Sequence, residues 1–116
     1  MTAPPDADDA PPQGVDLTPP DDALVHVVDI VNSRGLHARA SAKFVQTVEK
    51  FDAHVTVTRG TETVGGNSIM GLMMLSAGPG TAITITAWGR DAQAVLLALE
   101  ALVSGRFGEE GELLLI

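Results

Sequence analysis

The chain turns from a predicted strand into a predicted helix within Gly35-Leu36-His37-Ala38-Arg39-Ala40-Ser41-Ala42-Lys43-Phe44, a stretch that sets one histidine and one arginine where the helix begins. Glycine permits the backbone conformation that a sharp strand-to-helix turn often needs. The N–H groups of a first helical turn lack partners within the helix, and the positive end of the helix dipole lies beside them. The start of this helix is therefore suited to bind an anion such as phosphate.

The two ionisable residues at this helix start suit phosphoryl chemistry. An uncharged imidazole offers a ring-nitrogen lone pair as a nucleophile, and a guanidinium binds phosphate oxygens with several N–H donors. We interpret His37 as the carrier of a phosphoryl group and Arg39 as its stabiliser. The small residues at positions 38, 40 and 42 leave room for a donor to approach. So short a pattern also fits a histidine that only caps a helix and an arginine that is only solvated.

Length and composition restrict the classes of function. The 116 residues suffice for one domain, and an aromatic content of 3% argues against base stacking on nucleic acid. The chain has no cysteine and only three widely spaced histidines, so we expect no metal site. It shows no signal-peptide pattern and no apolar run of membrane-spanning length. We expect a cytoplasmic monomer that neither binds nucleic acid nor inserts into a membrane.

The net charge of -8 belongs to the two ends of the chain. Residues 1–22 hold six aspartates, six of the seven prolines and no lysine or arginine, and are predicted to be disordered. Residues 109–112 add three glutamates, which leaves seven basic and six acidic side chains between residues 23 and 108. Arg34, Arg39 and Lys43 fall close together around the histidine and favour a partner with an acidic docking face.

Hydrophobic periodicity predicts four strands and three helices. Strands are expected at residues 24–31, 53–58, 61–65 and 81–87, with a hairpin at Arg59-Gly60 and with Ile83 and Ile85 facing inward. Helices are expected at residues 37–50, 68–75 and 91–104. The order β-α-β-β-α-β-α, with polar residues alternating along one strand face, predicts an α+β open-faced sandwich. It has a four-stranded, mainly antiparallel sheet with three helices on one face.

Three segments together resemble HPr, the histidine-containing phosphocarrier of the bacterial phosphoenolpyruvate-dependent phosphotransferase system. They are Gly35-Leu36-His37-Ala38-Arg39, then Asn67-Ser68-Ile69-Met70-Gly71-Leu72, and finally the strand at residues 80–87 with the alanine- and leucine-rich helix after it. The resemblance implies one HPr-like domain at residues 23–107, between the acidic leader at 1–22 and a C-terminal tail at 108–116. Most family members have proline where this chain has Ala40, and the residues that follow look more like the nitrogen-type regulatory branch.

The resemblance also implies the chemistry. His37 would be phosphorylated on Nδ1 by phospho-enzyme I and would pass the group to a histidine of an enzyme IIA-type protein. The chain would be a carrier and not a self-sufficient enzyme, with no metal or organic cofactor of its own. Helix N–H groups and Arg39 can stabilise the reactive phosphohistidine without trapping it.

A second modification site is implied at Ser68, which is also a good helix N-cap. The resemblance implies that an HPr kinase/phosphorylase phosphorylates Ser68, which would add about two negative charges at the start of a helix. Beside an apolar surface formed by Ile69, Met70 and Met73, that charge would weaken docking of enzyme I.

Two other functions remain open at this point. In one, the chain is a regulatory docking module, and phosphorylation of His37 or Ser68 only switches partner binding. In the other, the sheet carries a small-ligand sensor, which the lack of a glycine-rich ligand loop disfavours. His26 and His54 fall within strands and receive no function.

Overall fold

The structure is a computed structural model that describes residues 17–109. Residues 1–16 of the acidic leader and residues 110–116 of the tail lie outside this range. The elements are β1 (Leu24–Asp29), α1 (Ala38–Val48), β2 (His54–Arg59), β3 (Glu62–Gly65), α2 (Ile69–Met74), β4 (Ala82–Trp88), α3 (Ala92–Ser104) and a short turn (Arg106–Gly108). The predicted order of strands and helices is confirmed, and the turn is an addition.

The element boundaries differ from the sequence prediction by one or two residues. Strand β1 ends at Asp29, although the Ile30 N–H still donates to the Thr81 carbonyl. The hairpin turn lies at Gly60 and the residue after it, because Arg59 still pairs with Glu62. Helix α1 ends at Val48, where the chain tightens into shorter-range turns.

The four strands form one antiparallel sheet in the order β1-β4-β2-β3, which confirms the predicted α+β open-faced sandwich. Alternate residues of a strand point to opposite faces. Ile83 and Ile85 on β4 are therefore fully buried on the helix side, as predicted. Val25 and Val27 on β1 lie on the other face and are exposed to solvent.

The core lies between this sheet and the helices. Helix α3 packs on β1 and β4, and α1 contacts both α2 and α3. The fully buried aliphatic and aromatic side chains include Ile30, Phe44, Val57, Leu72, Ile83, Ile85, Leu96, Leu99 and Phe107. Within residues 17–109, no helix is long and apolar enough to cross a bilayer.

The two histidines to which we gave no function lie in strands, as predicted. His26 Nδ1 is 2.8 Å from Glu100 Oε2, in a contact open to solvent. The His54 ring stacks on Trp88 with 5.5 Å between ring centroids. We assign no function to either residue.

The loop before α1 is fixed by close backbone packing against the loop after α2. Gly35 has φ +66, and a Cβ there would lie 2.3 Å from the Ala77 carbonyl oxygen. The next residue, Leu36, donates its N–H to the same carbonyl at 2.9 Å. Only glycine satisfies both the positive φ and the close approach, so Gly35 fixes where α1 begins.

We expect Gly35→Ala to destabilise the fold by about 3 kcal/mol or more, because it adds a steric clash to an unfavourable positive φ. Gly60→Ala is the matched control, since Gly60 has φ +63 but no atom within 4 Å of the added Cβ. That variant should lose only about 1 kcal/mol. Urea unfolding of both variants measures the difference, and equal losses would show that the contact with Ala77 contributes nothing.

Candidate functional site

His37 is the N-cap residue of α1. Its backbone is extended, with φ -81 and ψ -175, and its carbonyl accepts the Ser41 N–H at 2.9 Å. Its side chain also caps the helix, because Nδ1 accepts the Arg39 backbone N–H at 3.3 Å. The capping role and the position required for phosphoryl chemistry therefore coincide in one residue. Nδ1 lies against the positive end of the helix, where an anion is stabilised.

The other ring nitrogen faces a carboxylate that the sequence analysis did not assign to the site. His37 Nε2 contacts Oε2 of Glu109, and the two side chains are 23% and 13% exposed. Asn32, which is completely buried, donates Nδ2–H to Oε1 of Glu109 at 3.0 Å and to the Gly35 carbonyl at 2.9 Å. The amide of Asn32 thus links the loop before α1 to the carboxylate of Glu109, which in turn contacts His37.

The turn that carries Glu109 is held down at the site. Phe107 is 1% exposed, although its φ of 54 is unfavourable for a side chain with a Cβ. Lys43 Nζ donates to the Phe107 carbonyl at 2.6 Å. We had assigned Lys43 to partner docking, and the structure gives it this internal contact as well. Glu109, two residues beyond the predicted domain boundary at 107, thus also contacts this site, and the boundary itself stays a prediction.

Glu109 is held as a carboxylate. Burial by itself would raise its pKa, but the hydrogen bonds from Asn32 and His37, with attraction to Lys43 and to His37 in its protonated form, outweigh burial and lower the pKa. An ionised carboxylate only accepts hydrogen bonds, so its contact with His37 requires a proton on Nε2. The neutral imidazole is then the tautomer whose lone pair is on Nδ1.

Two of the predicted basic residues lie near the histidine but differ in their surroundings. Arg34 lines a shallow depression of about 210 Å³ together with Leu36, His37 and Gly78. Arg39 is exposed at the first turn of α1, and among residues 17–109 it has no ion pair. Both guanidinium groups reach the solvent from which a phosphate donor would approach. Their assignment to docking and to phosphate stabilisation stays a prediction.

One predicted contribution to donor access is wrong. We expected the small residue at position 40 to leave room for a donor, but Ala40 is completely buried and packs in the core with Phe44. Its place on the inner stripe of α1 follows from helical spacing. Ala38, by contrast, is exposed beside His37.

Ser68 and the apolar residues after it form a separate surface on α2. Ser68 is the N-cap, and its Oγ accepts the Gly71 N–H at 2.9 Å. Ile69, Met70 and Met73 are exposed, and so is Met74, which sequence reasoning missed. We call these four side chains the α2 patch. Their exposure fits a docking surface, although their role and phosphorylation of Ser68 stay predictions.

The groups suited to phosphoryl transfer lie at the depression beside His37 and not at a larger cavity. A cavity of about 620 Å³ lies beside His54 and Trp88, but its lining contains no arginine or lysine that could bind a phosphate. Among residues 17–109, no group of three or more histidine, aspartate and glutamate side chains is arranged to hold a metal ion.

The chain is similar to known phosphocarrier proteins. A family model described as "PTS HPr component phosphorylation site" matches residues 25–105. Phosphocarrier protein HPr of Neisseria meningitidis serogroup A is 49% identical over 86 residues, which are 74% of this chain and 97% of that protein. Phosphocarrier protein NPr of Shewanella violacea is 43% identical over 86 residues, or 74% of this chain and 94% of that protein.

A solved structure gives the same fold. The crystal structure of HPr-C-His from Thermoanaerobacter tengcongensis superposes with a TM-score of 0.71 at 36% identity, covering 73% of this chain and 96% of that one. The chain is thus a small phosphoryl carrier by fold and site. It belongs to the HPr family, the phosphocarriers of the phosphotransferase system. Because its relatives include both HPr and NPr, assignment to the nitrogen-type branch stays a prediction.

We expect Glu109→Gln to destabilise the fold by about 1–2 kcal/mol at pH 7, because charge-assisted hydrogen bonds to Asn32 and His37 are lost. The Glu109 pKa is lowered by folding, so its carboxylate stabilises the protein at neutral pH and loses this effect as the pH falls through the lowered pKa. The difference between variant and wild type should therefore shrink below about pH 4.

Urea unfolding between pH 7 and pH 3 measures this difference. Glu100→Gln is the matched control, since Glu100 also contacts a histidine but is 40% exposed, and it should change stability less. A Glu109→Gln effect that is independent of pH would contradict an ionised partner for His37.

Proposed function

We propose that this chain accepts a phosphoryl group on Nδ1 of His37 from phospho-enzyme I and passes it to a histidine of an enzyme IIA-type protein. The observation that carries this proposal is the division of roles between the two ring nitrogens. Nδ1 lies at the start of α1, and Nε2 contacts the carboxylate of Glu109. The names of the relatives support a phosphocarrier, and the direction of transfer and the two partners are our inference.

The transfer step follows from this arrangement. The Nδ1 lone pair of neutral His37 attacks the phosphorus of the donor phosphohistidine, the N–P bond in the donor breaks, and the donor nitrogen regains its lone pair. His37 keeps its proton on Nε2 and becomes a positively charged phospho-imidazolium. Glu109 accepts that proton in a hydrogen bond and stabilises the new positive charge. The reverse sequence delivers the group to the acceptor histidine.

The N–H groups of α1 and the guanidinium of Arg39 would bind the phosphoryl oxygens. These groups stabilise charge, while the driving force comes from the donor. We therefore propose a carrier that is not by itself an enzyme and that uses no metal or organic cofactor. We also propose that it acts in the cytoplasm as a monomer.

Ser68 is proposed as a regulatory site for an HPr kinase/phosphorylase. Its Oγ lies at the start of α2, half-buried next to the exposed Ile69 and Met70. A phosphate there adds about two negative charges next to apolar side chains that a partner would cover. We propose that enzyme I docks on the α2 patch and on the basic side chains Arg34 and Lys43, so that phosphorylation of Ser68 weakens its binding.

His37→Ala should abolish phosphoenolpyruvate-dependent labelling by enzyme I from the same organism. Because His37 also caps α1, the alanine variant should lose about 1 kcal/mol of stability, whereas His37→Asn keeps a capping acceptor and still lacks the nucleophile. Intact mass and acid lability of the phosphate measure labelling in both variants, with His54→Ala as the labelled control.

The outcome separates a phosphocarrier from a docking module. Labelling that survives in His37→Asn would place the phosphoryl group elsewhere. If competent enzyme I does not label the wild-type chain at all, the result favours the alternative function. The chain would then be a docking module whose phosphorylation only switches partner binding.

Ser68→Asp should retain the fold and raise the concentration of carrier needed for half-maximal phosphorylation by about tenfold, the effect of about 1.4 kcal/mol on docking. Aspartate can still cap α2, so a folding defect is not expected. Gln93→Asp is the control, because Gln93 is exposed in the first turn of α3 and lies outside both the α2 patch and the depression at His37. Identical kinetics for Ser68→Asp and wild type would argue against the serine switch.

A further inference from the structure

A groove of about 600 Å³ runs between α3 and strand β1. Its aliphatic lining residues are Val28, Val31, Leu97, Ala101 and Val103, and its polar ones are Asp29, Glu100, Ser104 and Arg106. Val31 and Leu97 are 38% and 55% exposed, so the aliphatic part of the groove is open to solvent. The family site does not use this groove.

Strand β1 forms one wall of the groove and is an edge of the sheet, since it pairs only with β4 among the described strands. An edge strand offers backbone groups and side chains to an added extended segment. The opposite wall is the exposed side of α3, with Leu97 and Ala101 one turn apart. The groove therefore accommodates a short, extended, apolar peptide.

The described part of the chain ends beside this groove. Arg106 lines it and donates Nη1–H to the Val31 carbonyl at 3.3 Å. Glu109 accepts from Asn32, the neighbour of Val31 in the chain. Residues beyond Glu109 thus begin next to the Val31 end of the groove.

The residues after Glu109 include an apolar segment that could pack on the aliphatic side chains of the groove. Residues 110–112 are Glu-Gly-Glu, and residues 113–116 are Leu-Leu-Leu-Ile. Four extended steps from Glu109 to residue 113 span up to about 14 Å, enough to enter the groove from the Val31 end.

We propose that residues 113–116 of the same chain occupy the groove between α3 and β1. The segment enters at Val31 and proceeds towards Val28, so it runs antiparallel to β1. Its leucine and isoleucine side chains cover Val31, Leu97 and Ala101, which removes both the segment and the groove from water. The proposal gives residues 113–116, which have no part in phosphoryl transfer, a binding site within the same chain.

A pair of introduced cysteines tests the proposal in the full chain, which has no cysteine of its own. Ala101→Cys with Leu114→Cys should form an intrachain disulfide under mild oxidation, since docking brings the two Cα atoms within bonding range. Met74→Cys with Leu114→Cys is the matched control, because Met74 is exposed on α2 and does not line the groove. We expect the groove pair to close about tenfold faster than the control.

Intact mass and a non-reducing gel distinguish the outcomes. Disulfide-linked dimers that increase with protein concentration would overturn the proposal, because a second copy would then supply the segment. Equal rates for the groove pair and the control pair would also overturn it. As a second measurement without cysteines, deletion of residues 113–116 should shift the methyl NMR signals of Val31 and Leu97 and leave that of Ile69 unchanged. Unshifted groove signals would contradict docking.

Discussion

The close backbone contact between Gly35 and Ala77 is the constraint on which the site depends. It joins the loop before α1 to the loop after α2, which are distant in sequence, and leaves no space for a side chain. The hydrogen bond from Leu36 to the same carbonyl fixes the direction in which the chain leaves this contact. The buried Ser41 then donates its hydroxyl to the Leu36 carbonyl at 3.2 Å, which ties the first turn of α1 to the loop. The position of His37 is therefore set by backbone packing on both sides.

Much of the fold could be predicted from the sequence, because its strands and helices follow local periodicity. The threonine and valine alternation of β2 located that strand, and the Ile-Thr-Ile-Thr pattern of β4 located both the strand and its inward residues, Ile83 and Ile85. Ser68 was predicted as an N-cap, and His37 was placed at the start of α1 with capping as the alternative role. Their side chains accept from the N–H groups of Gly71 and Arg39, three and two residues later. Errors at element ends reflect turns of one or two residues that periodicity does not describe.

The acidic half of the site could not be predicted in the same way. Glu109 lies 72 residues after His37 along the chain, and no short pattern connects them. The contact depends on where the last helix ends and on three successive residues, Arg106, Phe107 and Gly108, with positive φ. Only the glycine gives a signal in the sequence. The one available hint was Phe107, an aromatic residue in a chain with few of them, which had to be buried somewhere.

Positive φ at Arg106 and Phe107 costs about 1–2 kcal/mol per residue relative to ordinary helical geometry. Burial of the Phe107 ring, the Lys43 hydrogen bond to its carbonyl and the contacts of Glu109 offset this cost. Two of these three interactions converge on α1 and the loop before it. The conformation of the last turn is therefore coupled to the state of His37.

A phosphoryl group on Nδ1 places positive charge on the ring and negative charge near the same carboxylate, so the two effects on Glu109 oppose each other. The balance between them, more than the intrinsic strength of any one contact, decides whether the turn stays closed while the group is carried.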